Sequence, residues 1–149
     1  MRVVADTGGL VAAMDRAEPD HARFLGVVNS APKVYVTPLV VAETHFILSS
    51  GGERDAAAAF LTAVSDGLFQ LANPTRADYG RANALVAQYQ GTMGRKRRKP
   101  GSLDLADAMN VVVAAQLGTN LILATDQDYR AVRPLSRHTA FKLLPWDDM

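Results

Sequence analysis

The sequence contains no cysteine, which removes disulfides, thiolate metal sites and a cysteine nucleophile in one step. It has three histidines, too scattered for a histidine-built zinc centre. His45 sits two residues from Glu43 and so on another helix face, while His21 and His138 fall in cap or loop positions; all three read as bystanders. Ser49 and Ser50 have no base nearby, and Gly51-Gly52 does not fit a phosphate-binding loop. Nucleophilic side-chain catalysis therefore has no support. No run of ~18 apolar residues occurs, and the residues after Met1 read as a strand rather than a basic stretch followed by an apolar signal region. The expectation is a soluble, cytoplasmic protein with no membrane partner. There is no internal repeat.

What is present is an ordinary apolar fraction, 48% over 149 residues, enough for one core and one domain spanning 1–149. The net charge of +1 conceals an asymmetry: five of the sixteen basic residues form the run Arg95-Lys96-Arg97-Arg98-Lys99. Setting them aside leaves eleven basic against fifteen acidic residues, a balance of −4. A mildly acidic body with one concentrated positive segment points to a polyanionic partner such as a phosphate backbone. A solvated loop is the bland reading of the same run.

Short β-branched runs alternate with helical periodicity along the chain. Arg2 to Ala5, Val34 to Thr37, Leu68 to Leu71, Leu121 to Ala124 and Phe141 to Leu144 read as strands. Helices are expected from Leu10 to Met14, from near Asp20, from Leu39 to Leu48, Glu53 to Val64, Arg76 to Gln90 and Ser102 to Leu117, with 91–101 a polar basic loop. Strands separated by helices predict an α/β protein, a three-layer sandwich on a mainly parallel sheet of about four to five strands. In open sheets of this kind, ligands bind beyond the carboxyl ends of the strands. Asp6 and Asp126 both fall there.

Asp6 follows an apolar strand and precedes Thr7-Gly8-Gly9, where small residues permit close backbone approach; taken alone it fits a helix N-cap equally well. Glu43 has Leu39, Val40, Phe46 and Ile47 at helical spacing, which places a charge on an apolar stripe. Such a carboxylate requires a cation, a hydrogen-bonding partner or a wet cleft. Asp107 repeats the pattern in the most apolar helix of the chain, with Asp104 and Asn110 one turn away on the same side. Asp104 could instead favour the helix N-terminus through the dipole. Thr125-Asp126-Gln127-Asp128 follows a strand as Asp6 does, although Asp-x-Asp there also fits an Asx-turn. Oxygen donors without nitrogen or sulfur select hard cations such as magnesium or manganese. These ions promote phosphodiester hydrolysis.

At these residues the sequence resembles the PIN-domain nucleases, and among them the toxins of bacterial VapBC toxin–antitoxin systems. Val4-Ala5-Asp6-Thr7, Val41-Ala42-Glu43, Leu105-Ala106-Asp107-Ala108 and Thr125-Asp126 are similar to the family's four acidic motifs in order and spacing. The resemblance implies that Asp6, Glu43, Asp107 and Asp126 hold one or two Mg2+ ions, with Mn2+ an alternative, and that Thr7 and Asp128 support them. It further implies cleavage of RNA, tRNA or rRNA being the suspected class, to a 5′-phosphate and a 3′-hydroxyl. Homodimerisation and inhibition by a cognate antitoxin are also implied. Gly8-Gly9 departs from the family's more usual serine and alanine, and the basic loop looks like an insertion.

Two other readings stand beside this one: a catalytically silent PIN-like module that binds RNA or protein, and a receiver-like domain. The latter lacks paired acids after the first strand. Arg95, Lys96, Arg97, Arg98 and Lys99 are candidates for RNA contact, and Arg130, Arg133 and Arg137 could add phosphate contacts or simply lie on the surface. Trp146 is expected to pack on the core or on a dimer surface.

Overall fold

The computed structural model describes residues 1–96 and 99–149, the side chains of 93–101 excepted. In chain order the elements are β1 (Arg2–Ala5), α1 (Thr7–Met14), α2 (His21–Ser30), β2 (Lys33–Val36), α3 (Pro38–Ser50), α4 (Arg54–Ser65), β3 (Phe69–Leu71), α5 (Arg76–Gln88), β4 (Met93–Lys96), β5 (Lys99–Gly101), α6 (Leu105–Leu117), β6 (Leu121–Leu123) and β7 (Lys142–Leu144), with a 3₁₀ turn at Gln127–Ala131. All five expected strands are present, each within two residues of its expected bounds. The segment 91–101 departs from expectation: β4 and β5 pair antiparallel where a loop was read, because its polar residues carry no apolar alternation to announce a strand. Arg97 and Arg98 lie outside the described residues, as do the side chains of Arg95, Lys96 and Lys99.

Local chemistry sets the helix ends. Thr37 caps α3, accepting from the Val40 N–H at 3.3 Å, and Pro38 occupies the first turn, where no N–H is needed. Thr75 and Asp78 form a reciprocal capping box on α5. Gly118 closes α6 in the left-handed region at φ 66°, a conformation that costs a Cβ-bearing residue more.

The main sheet has strand order β3-β2-β1-β6-β7, every pairing parallel. Successive side chains of a strand face opposite ways, and the core divides accordingly. Val3 and Ala5 pack with Phe24, Leu48 and Phe60 beneath α1 to α4. Val4 packs with Met109, Val112 and Leu85 beneath α5 and α6. The result is the three-layer α/β/α sandwich with a parallel sheet.

β1 lies between β2 and β6. Its link to β2 passes through helices on one face, whereas α6 leads into β6 from the other. The chain leaving β6 packs Tyr129 and Val132 on that same second face, so the connections leaving the carboxyl ends of β1 and β6 part to opposite faces at a topological switch point, where a crevice opens. The Asp6 N–H donates to the Leu123 carbonyl at 2.9 Å and ties the two ends together. Helix α1 then starts against β6 so closely that a Cβ on Gly9 would overlap the Leu123 backbone carbonyl, and one on Gly8 would overlap the Thr125 hydroxyl. Gly9 thus admits the backbone of β6 and Gly8 the Thr125 side chain.

Candidate active site

The crevice holds a cavity of about 320 Å³ lined by Asp6, Glu18, Glu43, Asp104, Asp107 and Asp126, together with Thr7, Gly8, Val11, Ile47 and Thr125. Six carboxylate residues share one wall, and among the described residues no lysine, arginine or histidine joins them. The four principal acids come from four places in the chain: the end of β1, the middle of α3, the first turn of α6 and the turn after β6.

Asp6 is buried, 6% exposed. It occupies the N-cap position of α1 yet makes no side-chain capping bond; its Oδ1 accepts from Asn110 Nδ2 at 3.2 Å. Asp6 is thus the N-cap by position, with its carboxylate also turned toward Asn110. Asp107, 7% exposed, accepts from the Tyr129 hydroxyl at 3.0 Å. Glu43 Oε2 accepts from Thr7 Oγ1 at 3.1 Å, so Thr7 stands beside the acids as expected and orients one of them. Asp126 Oδ1 accepts from the Asp128 N–H at 2.8 Å, which makes the Asx-turn reading correct while Asp126 still faces the cavity.

Crowding shows in the acidities. Burial pushes the Asp107 carboxyl up to about 8, with the negative charges of Asp6, Asp104 and Asp126 adding to it. Burial likewise raises Asp6 to about 6, partly opposed by the Thr7 backbone N–H and reinforced by Asp104, Asp126 and Glu43. Shared electrostatics of this kind mark groups that cannot all ionise at neutral pH without a neutralising cation. Oxygen-only donors fit a hard divalent ion. Among the described residues no three of the acids stand close enough together to form a ligand group in this geometry.

Several expectations need correction. Glu43 is exposed rather than set on a buried stripe, because the buried face of α3 is Val40, Thr44 and Leu48. Its apolar neighbours Phe46 and Ile47 are themselves 69% and 40% exposed, so periodicity in apolar residues misreported burial. The wet cleft and the Thr7 bond are what accommodate its charge. Asp104 does cap α6, accepting from the Asp107 N–H at 2.9 Å, and also lines the cavity. Helix α6 accordingly starts at Leu105 rather than Ser102. Asn110 reaches the cavity only through Asp6, and Asp128 is not on its wall.

Two participants were missed. Glu18 lines the cavity from the turn after α1, where no periodicity gives a side chain a direction. Tyr129 contacts Asp107, and its single aromatic position after Asp128 carried no signal beyond core packing. Arg130 makes a two-pronged pair with Asp147, at 3.0 and 3.1 Å, which engages it within the fold. Trp146 packs edge-on to Phe24 with centroids 5.8 Å apart, and the Arg23 guanidinium lies over its ring at 4.6 Å. No helix among the described residues is long and apolar enough to cross a membrane.

Comparison with known proteins agrees with this arrangement. Residues 3–134 match the PIN domain model. The chain is 34% identical over 135 residues to Ribonuclease VapC26 of Mycobacterium tuberculosis, covering 89% of this chain and 93% of that protein. Among solved structures, Mycobacterium tuberculosis VapC20, described as a Sarcin-Ricin loop cleaving toxin, superposes with a TM-score of 0.73 at 19% identity, over 87% of this chain and 93% of its own. VapBC2 from Rickettsia felis, solved bound to a DNA fragment from their promoter, gives a TM-score of 0.63 at 11% identity, over 96% and 98%. These two likenesses show a shared fold. With its four acids on one crevice, a matching domain model over most of its length and a ribonuclease relative, the chain belongs to the PIN-domain family, among the VapC proteins.

Proposed function

We propose that this chain is an endoribonuclease, the toxin of a toxin–antitoxin pair, and that it hydrolyses RNA with divalent ions, Mg2+ or Mn2+, held by Asp6, Glu43, Asp107 and Asp126. The observation that carries the reading is the cavity at the β1–β6 switch point, where six carboxylate residues meet with no basic side chain among the described residues. When bound, a divalent ion there supplies Lewis acidity toward a phosphoryl oxygen and toward water.

The residues of the chain do the rest. Asp6 and Asp107, both buried and both fixed by neutral donors, form the rigid floor. Glu43 stands at the open side with one oxygen held by Thr7, leaving the other to orient the attacking water and take its proton. Attack at phosphorus breaks the bond to the 3′ oxygen, which takes a proton from solvent water and leaves as a hydroxyl, and the 5′ side keeps the phosphate. The basic segment Arg95 to Lys99 precedes α6, and its charge suits the RNA backbone on either side of the scissile bond. Structured RNA such as tRNA or rRNA is the substrate class favoured. A cognate antitoxin as inhibitor and a homodimer as the working form complete the reading, both resting on likeness to VapBC proteins.

Purified protein incubated with structured RNAs should cut them with Mg2+, and should leave them intact with chelator or as Asp6→Asn. Cutting that persists in chelator would remove the divalent-ion mechanism.

A further inference from the structure

We propose that Asn110 and Tyr129 form a buried tie that sets the spacing of the Asp6 and Asp107 carboxylates, making both of them positioning residues for the ion site. The inference rests on the divalent-ion reading of the cavity and deepens it.

The tie is continuous. Asn110 Nδ2 donates to Asp6 Oδ1 at 3.2 Å and to the Tyr129 hydroxyl oxygen at 3.0 Å, and the Tyr129 hydroxyl donates to Asp107 Oδ1 at 3.0 Å. An amide nitrogen carries two protons and a phenol one, so each proton has a single acceptor and the direction of the whole chain is set. Asn110 cannot reverse its amide without presenting an oxygen to the Asp6 carboxylate. Asn110 is 0% exposed and Tyr129 1%, so no water is needed to explain the geometry.

The residues come from separate elements. Asp6 ends β1, Asp107 and Asn110 stand one turn apart on α6, and Tyr129 arrives from the 3₁₀ turn after β6. Helical spacing places Asp107 and Asn110 on one side, but it does not fix either against β1. The tie does that.

Core packing does not account for these polar groups. Tyr129 packs edge-on to Phe141 with centroids 6.1 Å apart, a contact that phenylalanine would make equally. A buried hydroxyl in such a place is costly unless bonded, and here both its bonds lead to the acids. Asn110 sits in a helix whose next four residues, Val111 to Ala114, are all buried and apolar; its side-chain oxygen has no hydrogen-bond partner among the described residues. A buried amide retained with an acceptor unsatisfied is explained by what its nitrogen holds.

The test compares wild type, Tyr129→Phe and Asn110→Ser. Binding of manganese alone is measured by calorimetry, unfolding is measured in chelator, and kcat and KM are measured on RNA at saturating ion. Partners in this position govern metal affinity by about 10–100-fold, so Tyr129→Phe should weaken manganese binding by that factor and lower kcat with KM for RNA nearly unchanged. Asn110→Ser, with a hydroxyl too short to reach both neighbours, should do the same and serves if Tyr129→Phe does not fold. A lower unfolding temperature with unaltered manganese affinity would show a packing role only and overturn the tie. A wild-type protein that binds no manganese would overturn the ion-site reading itself.

Discussion

Asp6 and Asp107 keep protons that the unfolded chain gives up, since their carboxyls titrate near about 6 and about 8 against an ordinary 3.8. Above pH ~4 the unfolded state ionises first, so stability falls as pH rises, the Asp6 part being spent by about pH 6 and the Asp107 part by about pH 8. Asp107→Asn keeps an acceptor for Tyr129 and removes that charge. In chelator it should raise stability at pH 8 by roughly 1–3 kcal/mol and leave pH 4 unchanged, while abolishing RNA cleavage. Thermal unfolding at both pH values checks this, and equal effects at the two would contradict it. Gly9 offers a steric counterpart: Gly9→Ala drives a Cβ into the Leu123 carbonyl and should cost about 1–3 kcal/mol. Gly8→Ala meets only the Thr125 side chain, which can rotate, so chemical denaturation should show a smaller loss.

At the scale of elements, α3 and α6 carry acids into the cavity by different means. Helix α6 buries Asp107 in its first turn, where the Asp104 cap fixes the helix start and hence the direction of the side chain. Helix α3 leaves Glu43 exposed beside Phe46 and Ile47, of which Ile47 lines the cavity with it. The β4–β5 pair lies just before α6 in the chain, and the basic run falls within the same stretch of sequence. Replacing Arg95, Lys96, Arg97, Arg98 and Lys99 by glutamine should weaken RNA binding and flatten its dependence on salt. Each lost phosphate contact lowers the slope of log K against log salt by about 0.7 for single strands. A slope the same as wild type's would reject RNA contact by this segment.

For the whole molecule, the same repulsion predicts that a divalent ion held at the proposed site should stabilise the fold. An ion bound only by the folded state at 100 times its dissociation constant contributes about 2.7 kcal/mol, and at roughly 2–4 °C per kcal/mol for a chain near this size, manganese should raise the unfolding midpoint by about 5–10 °C at pH 8. The gain should shrink at pH 5, where Asp107 and Asp6 are protonated and compete with the ion. A shift independent of pH would mean that the ion binds elsewhere.

The parallel sheet was legible because each strand is a short β-branched run bounded by turn residues, and Asp6 and Asp126 were legible because acids directly after such runs lie at a known end of the sheet. Asp107 was legible because a carboxyl group in so apolar a helix needs a reason. Glu43 was found for a partly mistaken reason, its stripe being exposed. Glu18 and Tyr129 were not found, since turns impose no periodicity from which a side chain's direction can be read.

By itself, then, the order of apolar and acidic residues along the chain determined the class of fold and the oxygen-only chemistry of the site, because periodicity and donor type are local properties. Only tertiary structure decided which acids share a wall, which of them keep their protons and what holds them apart. Those depend on distances between β1, α3, α6 and the turn after β6, and are set by how the layers pack.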